Sequence, residues 1–195
     1  MNLVQSYIET LSARLQDTEV TDAAGAPVDA ESATLQAGTL ARRTHANGNK
    51  LMFIGNGGSA GICSHMAIDY SKNGGLRSLA FNDGAALTCL GNDLGYENVF
   101  AKQVEFHGCA GDLLIAISSS GRSPNILNAV AQARAQGLAI LTLSGFAADN
   151  PLRRQGDLNF YLPDSNYGFV EIGHLTLLHA VLDIAMGWKP DPTKR

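Results

Sequence analysis

Five short apolar runs, at residues 51–54, 78–81, 112–117, 138–143 and 158–162, constrain this chain more than any other feature of it. Each is too short for a helix and is bounded by polar residues, glycine or proline, so each reads as a strand of a sheet core. The stretches between them carry apolar residues at helical spacing. Strands alternating with helices at this interval predict an α/β chain with a doubly wound, parallel five-stranded sheet flanked by helices over 48–187. Ligands of such a sheet are expected outside the carboxyl ends of its strands.

Two helices are expected ahead of the first strand. Leu3, Val4, Tyr7, Ile8, Leu11 and Leu15 recur at helical spacing over 2–17. After a loop ending at 21–27, a second helix starts near Asp29 or Ser32 and closes before Asn47-Gly48. This pair over 1–47 packs either on another subunit or on the chain's own sheet. Further along, a helix entered at Asn82-Asp83-Gly84 is expected to be interrupted at 91–95 and resumed over 96–106. Another covers 124–136, with Pro124 in its first turn where the missing N–H is not needed. The last runs over 167–186, and 188–195 reads as a solvated tail of a single domain, 1–195.

Composition narrows the class. A net charge of -4 with no basic run argues against nucleic acid as a partner. No apolar run approaches the roughly 20 residues that span a bilayer, and the N-terminal segment lacks a signal-peptide pattern. No membrane partner and a cytoplasmic location are therefore expected. Cys63, Cys89 and Cys109 are odd in number and lack CxxC spacing, which predicts buried apolar thiols rather than disulfides or a cysteine metal site.

Two turns carry candidate chemistry. Gly55-Asn56-Gly57-Gly58-Ser59 follows the first strand and opens a helix, where glycines permit positive φ and free N–H groups favour an anion. Any α/β chain also needs such turns, and this one matches neither standard glycine-rich phosphate motif. The helix it opens presents His65 and Asp69 on one face, a spacing that serves a local hydrogen bond as well as a catalytic or metal pair. The third strand ends in Ser118-Ser119-Ser120-Gly121-Arg122-Ser123. In a parallel sheet both turns lie on one edge, so Ser59 and these serines are placed to converge on one anion. One serine would suffice to cap the following helix; four exceed that need.

GNGGSAG after a strand, GND at 91–93, ISSSGRS at 117–123 and a histidine late in the final helix resemble, in order and spacing, the sugar isomerase (SIS) domain, and within it the sedoheptulose 7-phosphate isomerases. The resemblance implies a homotetramer with shared active sites acting on a phosphorylated sugar, sedoheptulose 7-phosphate, to give D-glycero-D-manno-heptose 7-phosphate through an enediol(ate). It implies phosphate and sugar contacts from Asn56, Gly57, Ser59, Asp93, Ser118, Ser119, Ser120, Ser123 and Glu171, with Asp69 as base and His179 as its partner acid. It also implies Zn2+ held by His65, Asp69, Glu171 and His179, donors that zinc accepts. His174 is expected to be packed, and His45 and His107 to be surface or cap residues.

Two single residues and one short segment depart from the family pattern. Asp69 stands where the family has the longer glutamate, Glu171 where it has glutamine, and Tyr167-Gly168-Phe169 where the isomerases carry an aspartate and an arginine. Non-catalytic relatives bind sugar phosphates as regulators or act as interaction proteins, such as one associating with the replication initiator DnaA. The carboxylate at 69 and His179 favour the enzyme.

Overall fold

A computed structural model describes residues 2–191 and Thr193. Its sheet has seven strands rather than five and is mixed rather than all-parallel, in the order β2-β1-β7-β6-β5-β3-β4. The five expected strands are present as β3 (Leu51–Gly55), β4 (Ser78–Ala80), β5 (Leu113–Ser118), β6 (Ala139–Ser144) and β7 (Leu158–Tyr161), all parallel. The two additional strands, β1 (Glu19–Asp22) and β2 (Pro27–Val28), lie where a loop was expected. They form a hairpin, and β1 runs antiparallel along the edge of β7, with Val20 opposite Phe160. The pairing with β7 stabilises a segment whose own residues are mostly polar, so tertiary contact outweighs local propensity there.

Helices cover both faces. On one, α2 (Ala30–Ala46), α3 (Gly58–Lys72) and α7 (Tyr167–Ala185) pack over Leu51, Phe53, Ile115 and Leu143. On the other, α5 (Val99–His107) and α6 (Pro124–Ala135) pack over Met52, Ile54, Leu114 and Ala116. Alternate residues of β3 and β5 thus feed opposite cores, which is why both strands are apolar throughout. Each fully buried Leu, Ile or Phe there contributes about 1.5–3 kcal/mol of burial free energy.

α4 (Gly84–Leu94) runs straight through Gly91-Asn92-Asp93, contrary to the expected break, and stops at Gly95, whose φ is +84°. A single glycine lowers helix stability by about 1 kcal/mol without ending it. α7 spans 19 residues at mean hydropathy 1.3, long and apolar enough by length and composition to cross a bilayer, although polar residues interrupt its apolar run. Its Val170, Leu178, Val181 and Leu182 are buried in the protein core. Of the N-terminal pair, α2 covers its own sheet, whereas α1 (Leu3–Gln16) buries no residue and exposes Leu3, Val4 and Ile8. Cys63 is buried as expected; Cys89 and Cys109 are exposed, correcting that expectation, and all three thiols are free. Trp188 is exposed at the start of the tail, while Pro192, Lys194 and Arg195 lie outside the described residues.

Candidate functional site

β3 continues to β4 on one side while β5 lies on the other, so the strand order reverses between β3 and β5. A crevice is expected at such a switch point. Gly55 and Ile117 are register partners there, and the glycine turn into α3 and the serine turn into α6 leave the sheet side by side. Gly57 caps α3 with φ +54°, a conformation that favours glycine, and it has no side chain to offer. Ser123 caps α6 in position but makes no capping bond; its Oγ lies 3.2 Å from Ser118 Oγ. Both helix N-termini therefore open uncapped on the same space, with their positive dipole ends aimed into it.

That space is a cavity of about 290 Å³. Asn56, Gly57, Gly58 and Ser59 line it from the first turn, Ile117, Ser118, Ser119, Ser120 and Ser123 from the second, and Tyr167 and Glu171 from α7. Among the described residues, no lysine or arginine lines it. Arg122, although within the serine turn, points away to Asp149 at 2.7 Å. A methyl group at Gly58 would overlap the Glu171 carboxylate, which places that carboxylate against the start of α3.

The cup is held from behind by hydrogen bonds within the chain. The Asn56 and Asn125 amides donate to one another, both at 2.9 Å, and Tyr96 donates to Asn56 Oδ1 at 3.2 Å. These bonds join the first turn to the start of α6. The Gly121 N–H donates to Ser118 Oγ, and the Gly145 N–H to the Ser119 carbonyl. Buried Asn150 donates to Ser144 Oγ and the Gly145 and Ala147 carbonyls. His174, wholly buried as expected, sits 3.1 Å from the Ser144 carbonyl through Nε2. Burial drives its pKa from 6.5 down to about 4, opposed by that carbonyl, so the ring is neutral and donates from Nε2. Among the described residues its Nδ1 has no hydrogen-bond partner.

Further along α3 and α7 stands a second group. His65 Nε2 and His179 Nδ1 lie 3.5 Å and 4.0 Å from Asp69 Oδ2, and the two rings are 5.4 Å apart. The donor atoms of these three residues all fall within 4.8 Å of one another. Two imidazoles and a carboxylate with open solvent on one side are a donor set that fits a catalytic zinc. His65 is about half exposed and Asp69 mostly covered.

Of the sequence-predicted residues, the structure brings Asn56, Gly57, Ser59, the four serines and Glu171 into the cup, and His65, Asp69 and His179 into the cluster. It does not join the two groups in one chain. Asp69 follows Ser59 by ten residues and His179 follows Glu171 by eight, or roughly 12–15 Å along each helix. Glu171 is accordingly absent from the cluster, and Asp93 lies outside the cavity, bonded to Asn92 and Cys89 at the exposed end of α4. His45 accepts from the Arg77 N–H, and His107 is exposed against Phe81. Asn125 was not anticipated, although an amide in the first turn of α6, beside the serine turn, was the available signal.

Comparison with known proteins agrees with this geometry. Residues 7–145 match the SIS domain family model. A phosphoheptose isomerase of Bradyrhizobium sp. (strain ORS 278) is 40% identical over 145 residues, covering 70% of this chain and 71% of the relative. The solved phosphoheptose isomerase of Neisseria gonorrhoeae superposes with TM-score 0.78 at 29% identity, over 93% of this chain and 97% of that one. That of Francisella tularensis gives 0.79 at 28% identity, over 95% and 97%. With the cup at the switch point and these relatives along most of its length, the chain belongs to the SIS-domain family, among the phosphoheptose isomerases.

Proposed function

We propose that this sugar-phosphate isomerase interconverts sedoheptulose 7-phosphate and D-glycero-D-manno-heptose 7-phosphate, or a closely related heptose phosphate. The observation that carries the reading is the pair of uncapped helix N-termini opening on one hydroxyl-lined cavity, which suits a phosphate dianion without a basic side chain. In this reading Ser59, Ser118, Ser119, Ser120 and Ser123 donate to the phosphate together with turn N–H groups.

Isomerisation moves a proton between two adjacent carbons and another between their oxygens. Asp69 takes the carbon-bound proton beside the carbonyl and returns it to the neighbouring carbon. His179 gives a proton to the carbonyl oxygen and recovers one from the adjacent hydroxyl. Both imidazoles contact Oδ2 of Asp69, so Oδ1 is the oxygen assigned to the carbon-bound proton. A general base so placed contributes roughly 10²- to 10⁴-fold. His65, Asp69 and His179 would hold Zn2+, which when bound supplies Lewis-acid polarisation of a carbonyl oxygen.

The span from cup to cluster along α3 is at the limit of a seven-carbon phosphate. A second copy bringing its own cluster against this cup shortens the gap, and the unburied face of α1, with Leu3 84% and Val4 68% exposed, supplies a surface for it. We therefore infer a homotetramer with active sites shared between copies, in which Asp93 reaches the sugar of a neighbouring site. Three free thiols suit a reducing, cytoplasmic setting. Incubation with sedoheptulose 7-phosphate, with and without zinc, should yield the aldose. Absence of turnover in both conditions would overturn the reading, and retained phosphosugar binding would then favour the non-catalytic class.

A further inference from the structure

Phe146 is the one non-glycine residue, among the described residues, with positive φ, at +57°. A bulky side chain in the left-handed region is an outlier that its surroundings must enforce. Here the Phe146 N–H donates to the Asp164 carbonyl at 2.9 Å, and its own carbonyl accepts from the Tyr161 hydroxyl at 2.8 Å. The conformation delivers the Phe146 ring edge-on to Tyr167, with centroids 4.8 Å apart and planes at 81°. Tyr167 lines the cup and is otherwise 62% exposed. Glu171, one turn later on the same face of α7, lines it too. On the other side of the segment, Phe169 packs on Tyr7 of α1 at 4.6 Å. The start of α7 is thus gripped by rings on both sides while Tyr167 faces the cavity.

We propose that Tyr167, braced by Phe146, is a specificity-determining wall for the phosphate-proximal carbons of the substrate. Its ring takes a C–H face of the sugar chain, and the Glu171 carboxylate accepts from hydroxyls on the adjacent carbons. The inference rests on the phosphosugar reading and deepens it, because the substrate class it selects is a sugar phosphate whose carbons nearest the phosphate present a contiguous C–H face. An aromatic plane beside a few fixed polar groups is the usual composition of such a pocket, and the ring contributes without adding charge to a cup that receives an anion.

The test compares binding of sedoheptulose 7-phosphate, ribose 5-phosphate and inorganic phosphate by calorimetry, alongside turnover. The parent should prefer a sugar phosphate over inorganic phosphate. Tyr167→Ala should cut that preference about threefold to tenfold, the range expected for one aromatic contact, with inorganic phosphate affinity held. Tyr167→Phe should recover most of the loss. Phe146→Gly, which accepts positive φ without strain, should reproduce a share of the Tyr167→Ala effect, whereas a purely structural Phe146 would leave the preference untouched. Equal weakening of sugar phosphate and inorganic phosphate by Tyr167→Ala, or no change in either, overturns the wall. If the preference falls as expected but the parent turns nothing over, the isomerase reading fails and the wall stands. A parent that binds no sugar better than inorganic phosphate overturns both.

Discussion

The cup and the cluster both draw on α3 and α7 yet are built in opposite ways. The cup is assembled from backbone, hydroxyls and glycines at the ends of two central strands, and Asn56, Asn125, Asn150 and His174 hold it from behind. The cluster stands on the outward surface of α3 and α7, with His65 about half exposed and no hydrogen bond linking its three side chains beyond ion-pair approach. A site preformed within one chain needs only its ligand. A site of loosely placed ligating and proton-transferring groups needs a metal, a substrate or a second copy to complete it. The difference implies that binding and turnover can be damaged separately.

The largest expected effect comes from separating them. Asp69→Asn and His179→Ala should each lower kcat by roughly 10²- to 10⁴-fold, while inorganic phosphate affinity, measured by calorimetry, stays at the parent value. A cup variant such as Ser119→Ala should instead raise KM for the phosphosugar. If sites are shared between copies, co-expressing Asp69→Asn with a cup-deficient chain restores activity in the mixed oligomer. Two variants that remain inactive together would show that each chain uses its own cluster.

A smaller effect is expected behind the cup. Gly121 has φ +61°, and a methyl group there would overlap Asn150 Oδ1. Gly121→Ala pays for the left-handed backbone, about 1–2 kcal/mol, and displaces a buried amide worth a further 1–3 kcal/mol. A urea midpoint shift of that size with loss of phosphate binding is expected. An exposed residue of the cluster, changed by His65→Ala, should leave the same midpoint within about 0.5 kcal/mol. Equal shifts would erase the contrast.

The same contrast explains what was readable in the residues. β3 and β5 are buried on both faces, so their apolar runs declare them, and the glycine and serine turns at their ends follow from parallel topology. His65 and Asp69 are legible as a pair because four residues make one turn. Other features depend on contacts that local pattern does not carry. The hairpin of β1 and β2 exists because the edge of β7 is available to pair with Thr21 and Asp22, residues that are otherwise turn-like. Ser123 occupies a cap position, and only its orientation toward Ser118 shows that its hydroxyl is not used to cap. Phe146 carries no mark of positive φ, since that conformation is imposed by Asp164 and Tyr161 from other strands and loops. The separation of Glu171 from His179 is plain from their spacing on one helix once the cluster's other members are located.

The smallest effect, and the one that tells cup from cluster by pH, belongs to His174. Its ring is buried and neutral, with a folded pKa of about 4 against 6.5 in the unfolded chain. Between those values the unfolded state binds the proton and the folded state does not, so the stability due to this group is complete above pH 6.5. It declines as pH falls toward 4, by about 3 kcal/mol in total, and no more is lost from this group below that. His174→Gln, which keeps a donor for the Ser144 carbonyl, should flatten the slope of the urea midpoint against pH in that window relative to the parent, even if its midpoint at pH 7 is lower. His65→Ala should leave the slope as it is. An unchanged slope in His174→Gln would mean that the acid sensitivity of the fold arises away from the cup, and the buried layer behind the serines would then be a packing feature without a proton-linked role.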